Sequence, residues 1–295
     1  MDNGKIKFLE EKANEIRQSI IEMLIEAGSG HSAGPLGMAD IFTALYFHIL
    51  RHDASNPSWE DRDRLILSNG HIAPVLYATM AHAGYLPVEE LKTLRKFGSK
   101  LQGHPHREYL HALENSSGPL GCGLSQAVGM AIADRMDHGK YSSKQFYALL
   151  SDGELEEGNT WEGVMLAGKE KLQNLIVIVD RNNIQIEGYT EDIMPLEPLA
   201  DKWKAFNWHV QMIDGHNFAQ IIGAVGEAQA VFDKPSVILA NTIPGKGVSF
   251  MERRFEWHGN PPGKGPEDKV PKDRQGIEAL KELRTLGGKI KSEHE

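Results

Sequence analysis

Two polar residues occupy positions from which their side chains could share one ligand. Asp152 and Asn182 lie 30 residues apart, and each comes just after an apolar run that we predict to be a β-strand. If these strands are neighbours in a parallel sheet, the carboxylate and the amide oxygen converge at one edge. Gly153 lets the backbone approach a ligand closely, and the main-chain carbonyl of Ile184 is placed to supply a third oxygen.

These donors suit a magnesium ion. Three protein oxygens, one of them anionic, leave part of an octahedral shell to be filled by water and phosphate oxygens. The pattern therefore predicts a Mg²⁺ ion that carries a diphosphate, with Asp152, Asn182 and the carbonyl of Ile184 as protein ligands. The ordinary alternative is an aspartate that caps the next helix and an asparagine in a turn. The combination of both residues in one frame favours the metal.

Histidines are the second chemical feature of the sequence, which contains 13 of them. His31 and His71 follow glycines in loops, and His104 stands in a Gly-His-Pro sequence. A neutral or protonated imidazole bridges hydroxyls and moves protons near pH 7, so these loops suit sugar chemistry. The histidines without a supporting motif are expected at the surface or satisfied within the fold: His48, His52, His82, His138 and His294. The roles of His106 and His111 stay open.

Apolar strands alternate with helices along the chain, which is typical of a parallel sheet covered on both faces. The predicted strands cover residues 64–68, 146–150, 175–179, 206–213 and 236–241. The predicted helices cover residues 8–27, 38–50, 71–83, 161–171, 218–232 and 274–286. Four glycines and a proline predict a loop at 28–37, and a polar extended segment at 259–273 leads into the last helix. We therefore predict an α/β fold with a mainly parallel sheet, which binds ligands at the carboxyl ends of its strands.

Composition excludes several classes of protein. The net charge of −9 at pH 7 argues against a generally basic nucleic-acid-binding surface. The single cysteine, Cys122, rules out an intramolecular disulfide and a cysteine-based zinc site. The charged, periodic N-terminus is unlike a signal peptide, and no apolar run reaches the roughly 20 residues that span a bilayer. We therefore expect a cytoplasmic enzyme that binds neither nucleic acid nor a membrane.

Longer stretches of the sequence resemble one family. The pattern SDG–x4–G followed by LxNLIVIVDRNN is similar to the thiamine-diphosphate signature. Five further segments resemble transketolases in the family's order: GSGHSAGPLGMADI, LSNGHIAPVLYATM, QGHPH, SSGPLGCGLSQAVGMAIA and EWHGNPP. The resemblance covers about residues 10–262. It implies a three-layer α/β/α thiamine-diphosphate-binding fold, thiamine diphosphate and Mg²⁺ as cofactors, and transfer of a two-carbon ketol unit from a ketose phosphate to an aldose, in carbohydrate metabolism such as the pentose phosphate pathway.

The resemblance also implies roles for individual residues. Those that resemble the lining of the cofactor site are His71, Gly118, Pro119, Leu120, Asp152, Gly153, Asn182 and Ile243. Those that resemble histidines contacting the sugar's hydroxyl and carbonyl groups are His31, His104 and His258. Glu157 and Glu162 resemble carboxylates at a subunit interface, where Glu157 is also counted with the cofactor site. The alternative for this acidic stretch is a solvated helix entry.

Three departures from the family pattern stand near these residues. Ser151 replaces the usual glycine before Asp152. The order HSAG follows Gly30 where His-Pro-Gly is commoner, so we expect a different loop shape and substrate preference. Cys122 lies between two glycines, where the family often has glutamine, and we interpret it as a small buried residue.

One part of the transketolase active site is not among the segments that this sequence resembles. The family places the glutamate that promotes the cofactor's imino tautomer on a second α/β domain, with the arginines that grip the sugar phosphate. We interpret residues 1–262 as the diphosphate-binding domain and residues 263–295 as an extended segment with a final helix. This predicts the N-terminal subunit of a split transketolase, which acts with a separate pyrimidine-binding C-terminal subunit. We expect an α2β2 assembly, or a homodimer of this chain alone.

Two other functions compete with this prediction. One is a subunit of another thiamine-diphosphate enzyme, such as a 2-oxoacid dehydrogenase, and the histidine loops disfavour it. The other is a non-catalytic cofactor-binding subunit, and the intact Asp152, Asn182 and His258 disfavour that.

Overall fold

A five-stranded parallel sheet lies at the centre of the protein. The computed structural model describes residues 3–140 and 142–285. The sheet strands are β1 (Arg64–Leu67), β2 (Phe146–Ser151), β3 (Leu175–Arg181), β6 (His209–Asp214) and β7 (Ser236–Asn241). Their order across the sheet is β1-β2-β3-β7-β6, and each neighbouring pair is parallel. A separate antiparallel hairpin is formed by β4 (Ile184–Gln185) and β5 (Gly188–Tyr189).

The central strands are buried on both faces because their sequences are nearly uninterrupted apolar runs. Successive side chains of a strand point to opposite faces. Tyr147 and Leu149 of β2 therefore join one hydrophobic cluster, whereas Ala148 and Leu150 join the other. The sheet thus has a core on each face, and each core is covered by helices.

The helices cover the two faces unequally. The first face carries α1 (Asn3–Ala27), α2 (Ala33–Ala44), α3 (Ala73–His82), α8 (Phe218–Ala230) and α9 (Lys272–Thr285). The second face carries α4 (Cys122–His138), α5 (Gly158–Glu170) and α7 (Leu199–Ala205). A short helix, α6 (Thr190–Ile193), follows the hairpin. The predicted three-layer α/β/α fold is confirmed. Within the described ranges, no helix is long and apolar enough to cross a bilayer.

One predicted loop is partly helical. We predicted a loop over residues 28–37, but α2 begins at Ala33. Pro35 falls in the first turn of α2, where its missing N–H removes no intrahelical hydrogen bond. Gly37 is required by packing, because a Cβ there would lie 3.0 Å from the carbonyl oxygen of Ile243. The loop prediction is therefore wrong for the second half of this segment.

Other boundaries differ from the predicted ones by a few residues. β6 begins at His209 rather than at residue 206, because Phe206 ends α7 as its C-cap and Asn207 has a φ of 65°, which no strand adopts. α5 begins at Gly158, three residues before its predicted start. The predicted helix over 38–50 ends in a π-helical turn at Leu45–Ile49.

The last described segment returns along α1. Gln275 of α9 is fully buried, and its side-chain oxygen accepts from the N–H of Gly263 (2.9 Å), so the extended segment is fastened to the helix. Leu283, in the final turn of α9, is fully buried. The predicted boundary at residue 262 stays a prediction. Residues 286–295, which contain the predicted end of the last helix and His294, lie outside the described residues.

A buried glutamate joins three elements at the carboxyl edge of the sheet. Glu154, just after β2, is fully buried. Its carboxylate accepts hydrogen bonds from the hydroxyl of Ser68, after β1, and from the N–H of Gly121 (2.5 Å), before α4. It also accepts from the N–H of Ser151 (3.3 Å), at the end of β2. One carboxylate therefore ties β1, β2 and α4 together, and its charge complements the positive end of α4.

We expect Glu154→Ala to lower the free energy of unfolding by about 2–4 kcal/mol, because three buried donors lose their acceptor. The measurement is urea unfolding at pH 8, above the value of about 7 to which burial raises the pKa of Glu154. Glu108→Ala, at an exposed glutamate, is the matched control and is expected to change stability by less than about 0.5 kcal/mol. Equal stabilities for the two variants would contradict the prediction.

Candidate active site

A cleft of about 500 Å³ opens at the carboxyl edge of the sheet. Its position agrees with the rule that open parallel sheets bind ligands beyond the ends of their strands. Nine of the predicted site residues line this cleft: His31, His71, His104, Gly118, Leu120, Gly153, Glu157, Ile184 and His258. Residues from separate stretches of the chain are thus brought together.

The remaining predicted residues do not line the cleft. Pro119 is exposed between two lining residues. Asp152, Asn182 and Ile243 are buried, the first two beside the strand ends and the third after β7. Glu162 is exposed on α5 and does not line the cleft.

The carboxylate of Asp152 is fully buried and held by three donors. Oδ1 accepts from the N–H of Gly153 (2.8 Å), and Oδ2 accepts from the N–H of Asn183 (2.6 Å). Oδ2 also accepts from the guanidinium of Arg181 (3.2 Å). Burial raises the pKa of Asp152 to about 6, although Arg181 acts in the opposite direction. The three hydrogen bonds thus fix the orientation of this carboxylate, but they do not fully offset the effect of burial on its charge.

Asn182 is oriented by a second buried carboxylate, that of Asp180. The amide Nδ2 donates to Oδ2 of Asp180 (2.7 Å), and Oδ1 accepts from the N–H of Ile184 (3.0 Å). Asp180 also accepts from the hydroxyl of Thr242. Burial, with repulsion from Asp152, raises the pKa of Asp180 to about 7. Sequence reasoning missed Asp180, although it ends the apolar run that directed attention to Asn182.

Arg181 connects this carboxylate pair to the segment after the hairpin. Besides Asp152, its guanidinium donates to Glu191 (2.7 Å) and Glu197 (3.1 Å) and to the hydroxyl of Thr190 (3.0 Å). One buried cation therefore fastens residues of α6 and its following loop to the end of β3. Its charge is shared among several acids rather than given to Asp152 alone.

Three imidazoles form a cluster in the cleft. The ring centroids of His31, His71 and His258 lie 4.9, 5.1 and 5.3 Å apart. Burial lowers the pKa of His31 to about 3, with further repulsion from His258, and lowers the pKa of His258 to about 4. Burial also holds the pKa of His71 well below its usual value. All three rings are therefore neutral at pH 7, and each has one donor and one acceptor nitrogen.

His104 stands at the rim, where it is more exposed than the other three histidines. The guanidinium of Arg95 lies close to Gly103, the residue before His104. A Cβ on Gly103 would be 2.7 Å from Nε of Arg95. Burial lowers the pKa of His104, and Arg95 lowers it further. Sequence reasoning missed Arg95, although a basic stretch directly before the QGHPH segment was a visible signal.

Ile243 is held by a chain of buried polar groups. Its N–H donates to Nε2 of His216 (2.8 Å), and Nδ1 of that ring bonds Oδ2 of Asp40 (2.7 Å). Because Nε2 accepts, the proton lies on Nδ1 and is donated to Asp40. Asp40 in turn receives two hydrogen bonds from Arg17 (3.0 and 2.6 Å). This network links α1, α2 and the loop before α8 to the segment after β7, and sequence analysis missed all three of its side chains.

The hairpin supplies further lining residues that were not predicted. Gln185, Ile186 and Glu187 all face the cleft. Ile186 exposes 65% of its surface, which is unusual for an isoleucine. The sequence IQIEG places an exposed apolar residue between two polar ones and was the available signal.

Comparisons with known proteins agree with this geometry. Residues 9–284 match the family described as "Transketolase, thiamine diphosphate binding domain". The chain is 46% identical over 250 residues to the 6-deoxy-6-sulfo-D-fructose transketolase subunit SqwG of Clostridium sp. (strain MSTE9), covering 85% of this chain and 90% of that one. It is 38% identical over 277 residues to a subunit of the apulose-4-phosphate transketolase of Phocaeicola vulgatus, covering 94% of this chain and 97% of that one.

The chain covers a smaller share of transketolases whose names mention no subunit. It is similar to the crystal structure of transketolase from Campylobacter jejuni, with a TM-score of 0.83 and 34% identity, over 97% of this chain and 47% of that one. Transketolase 1 of Escherichia coli is 42% identical over 262 residues, which are 86% of this chain and 39% of that one. The predicted family is therefore confirmed: the chain belongs to the transketolases and carries their thiamine-diphosphate-binding domain.

Proposed function

We propose that this chain is the diphosphate-binding subunit of a split transketolase, which transfers a two-carbon ketol unit from a ketose phosphate to an aldose. The observation that carries the proposal is that one edge of the sheet holds both an oriented oxygen-donor set, around Asp152 and Asn182, and a cluster of three neutral histidines. The donor set suits a magnesium diphosphate, whereas the histidines suit the hydroxyl and carbonyl groups of a sugar.

The strand-end donors fit a magnesium ion carrying the diphosphate of thiamine diphosphate. Asp152 would supply an anionic oxygen, Asn182 an amide oxygen and Ile184 its main-chain carbonyl. The two buried carboxylates, Asp152 and Asp180, repel each other, so a divalent cation would stabilise their ionised forms. Among the described residues, no three His, Cys, Asp or Glu side chains converge as a metal site. The proposed set is of a different kind, because it combines one carboxylate with an amide oxygen and a main-chain carbonyl, and phosphate oxygens and water would complete the shell.

When bound, thiamine diphosphate supplies the electron sink for cleavage of the carbon–carbon bond. The chain's own residues bind and orient the sugar. His31 and His258 are neutral, so each can donate a proton from one nitrogen to a carbonyl oxygen and accept a hydroxyl proton at the other. His71 would contact the diphosphate. Burial of this cluster excludes water and strengthens its hydrogen bonds to substrate.

Two observations support a partner chain that supplies the pyrimidine-binding half. The relatives named as subunits match this chain over nearly their whole length. In addition, Met136 of α4 and Met165 and Leu166 of α5 expose 80%, 57% and 42% of their surfaces. Exposed apolar side chains on two helices that pack against each other favour a protein–protein interface. Glu162 lies on α5, and Glu157 directly precedes that helix. We propose an α2β2 complex, with homodimerisation of the isolated chain as a second assembly.

The substrate is proposed by class. Two relatives of this chain are named for 6-deoxy-6-sulfo-D-fructose and for apulose 4-phosphate, so a sulfosugar and apulose 4-phosphate are donor candidates beside ordinary ketose phosphates. We propose a cytoplasmic role in carbohydrate metabolism, within the pentose phosphate pathway or a related route. An assay panel of these three donor types, with one common aldose acceptor, separates the candidates.

We expect Asp152→Ala and Asn182→Ala each to weaken Mg²⁺-dependent binding of thiamine diphosphate at least about 100-fold, because each removes an oxygen ligand of the ion. Calorimetry of the folded chain with its partner measures the affinity. Asp192→Ala changes an exposed aspartate and serves as the control, with unchanged affinity expected. The metal assignment is wrong if both site variants bind as the control does.

We expect His31→Ala and His258→Ala to lower kcat/KM about 10²- to 10⁴-fold while changing cofactor affinity little, because these rings act on the reacting oxygens. Steady-state ketol transfer by the reconstituted enzyme is the measurement. His48→Ala, at an exposed histidine outside the cleft, is the matched control. Wild-type kcat/KM in both cleft variants would exclude this role.

We expect the purified chain to be catalytically silent and to gain activity when the C-terminal chain is added. The physical reason is that the carboxylate that promotes the imino tautomer is proposed to lie on the partner. Ketol transfer is assayed with each chain alone and with the mixture. Full activity from this chain alone, above the level of trace contamination, would refute the division of the active site between two chains.

A further inference from the structure

Ser32 lies between His31 and α2, and its side chain hydrogen-bonds to a different loop. It directly follows His31 and directly precedes α2, and it is fully buried. Its hydroxyl donates to the carbonyl oxygen of Asn260 (2.6 Å) and lies 3.2 Å from the carbonyl oxygen of Trp257. A hydroxyl has one proton, so the bond to Asn260 is the principal one and Trp257 shares it weakly.

Both acceptors flank the second histidine of the cluster. Trp257 precedes His258, and Asn260 follows it by two residues. Two hydrogen bonds next to His258 are local: the N–H of His258 donates to the carbonyl of Phe255 (2.8 Å), and Asn260 Nδ2 donates to the carbonyl of Glu256 (2.7 Å). Ser32 is therefore a direct polar link between the backbone that carries His258 and the loop that carries His31.

The two loops approach closely where Ser32 joins them. A Cβ on Gly259 would lie 3.8 Å from Nε2 of His31. The rings of His31 and His258 meet edge to face, with centroids 5.3 Å apart and an interplanar angle of 82°. The Nδ1 atoms of both rings are buried and have no hydrogen-bond partner among the described residues. Neither ring is thus held by a polar contact at Nδ1, so their relative position depends on the backbone of the two loops.

The local backbone is adapted to this contact. Ser32 has φ −110° and ψ −44°, whereas proline requires φ near −65°. The departure from the His-Pro-Gly order is therefore accompanied by a loop shape that proline does not fit. The residue at this position supplies a hydroxyl donor, which proline lacks.

We propose that Ser32 is a positioning residue that fixes His31 against His258, so that both imidazoles address one sugar substrate in the correct geometry. Small displacements of catalytic groups cost large factors in rate, about 10²-fold for a shift of about 1 Å. The catalytic part of this inference rests on the proposed ketol transfer, whereas the link between the two loops does not.

The test combines hydrogen exchange with kinetics for Ser32→Ala. In the isolated chain, exchange of the amides in residues 254–262 is expected to be about 3- to 10-fold faster, because one buried hydrogen bond no longer opposes local opening. In the reconstituted enzyme, kcat is expected to fall about 10-fold, while thiamine-diphosphate affinity stays within about twofold of wild type. Ser32→Cys keeps a weak donor of similar size and is expected to lie between these values.

Ser29→Ala is the matched control. Ser29 lies in the same loop, but its hydroxyl bonds weakly to the carbonyl of Ala27 (3.4 Å), on the α1 side. This variant is expected to show wild-type exchange over residues 254–262 and wild-type kcat. Equal exchange in the Ser32→Ala and Ser29→Ala chains would overturn the link. A parallel fall of kcat and cofactor affinity would overturn the positioning role. If the wild-type enzyme transfers no ketol group, the proposed function fails, and the exchange measurement still decides whether Ser32 joins the loops.

Discussion

The parallel alignment of β1, β2, β3 and β7 is the constraint on which the candidate site depends. Parallel strands end at the same edge, and the register pairs Leu67 with Leu149, and Ser151 with Asp180. Asp152 and Asn182 therefore emerge side by side, although 30 residues separate them in the chain. Because the loops that follow these strands all begin at one edge of the sheet, residues that are distant in sequence lie close together there.

Buried charges hold these loops in place. The Arg17–Asp40 pair fixes His216 against Ile243, and the carboxylate of Glu154 fixes the N-terminus of α4. Buried ion pairs contribute little net stability, because removing charges from water costs about as much as their attraction returns. We infer that the Arg17–Asp40 pair determines the geometry of the site more than the stability of the fold. The hydrophobic clusters on the two faces of the sheet supply the stability.

The sequence predicted the parts of the site whose signals are local. Asp152 and Asn182 follow apolar runs, and the glycine-flanked His31 and His71 stand in recognisable loops. The residues that were missed act through contacts distant in sequence: Asp40 and His216 are 176 residues apart. A buried aspartate within a helix looks like any other polar helical residue until its partner is known. The start of α2 was also missed, because Pro35 and Gly37 oppose a helix interior. Pro35 is tolerated in the first turn, and Gly37 allows α2 to pack closely on Ile243.

The histidine cluster shows how the fold prepares a site before any ligand arrives. Burial keeps the rings of His31 and His258 neutral by lowering the pKa of each, yet their Nδ1 atoms have no hydrogen-bond partner among the described residues. Unsatisfied buried polar atoms are unfavourable in a folded protein. A substrate whose hydroxyl and carbonyl groups reached them would remove that cost on binding. Loops that keep the two rings at a fixed distance also reduce the entropy lost when the substrate is bound. The same neutral rings can then both donate and accept protons at pH 7, so the burial that makes the unligated site unfavourable is also what suits it to sugar chemistry.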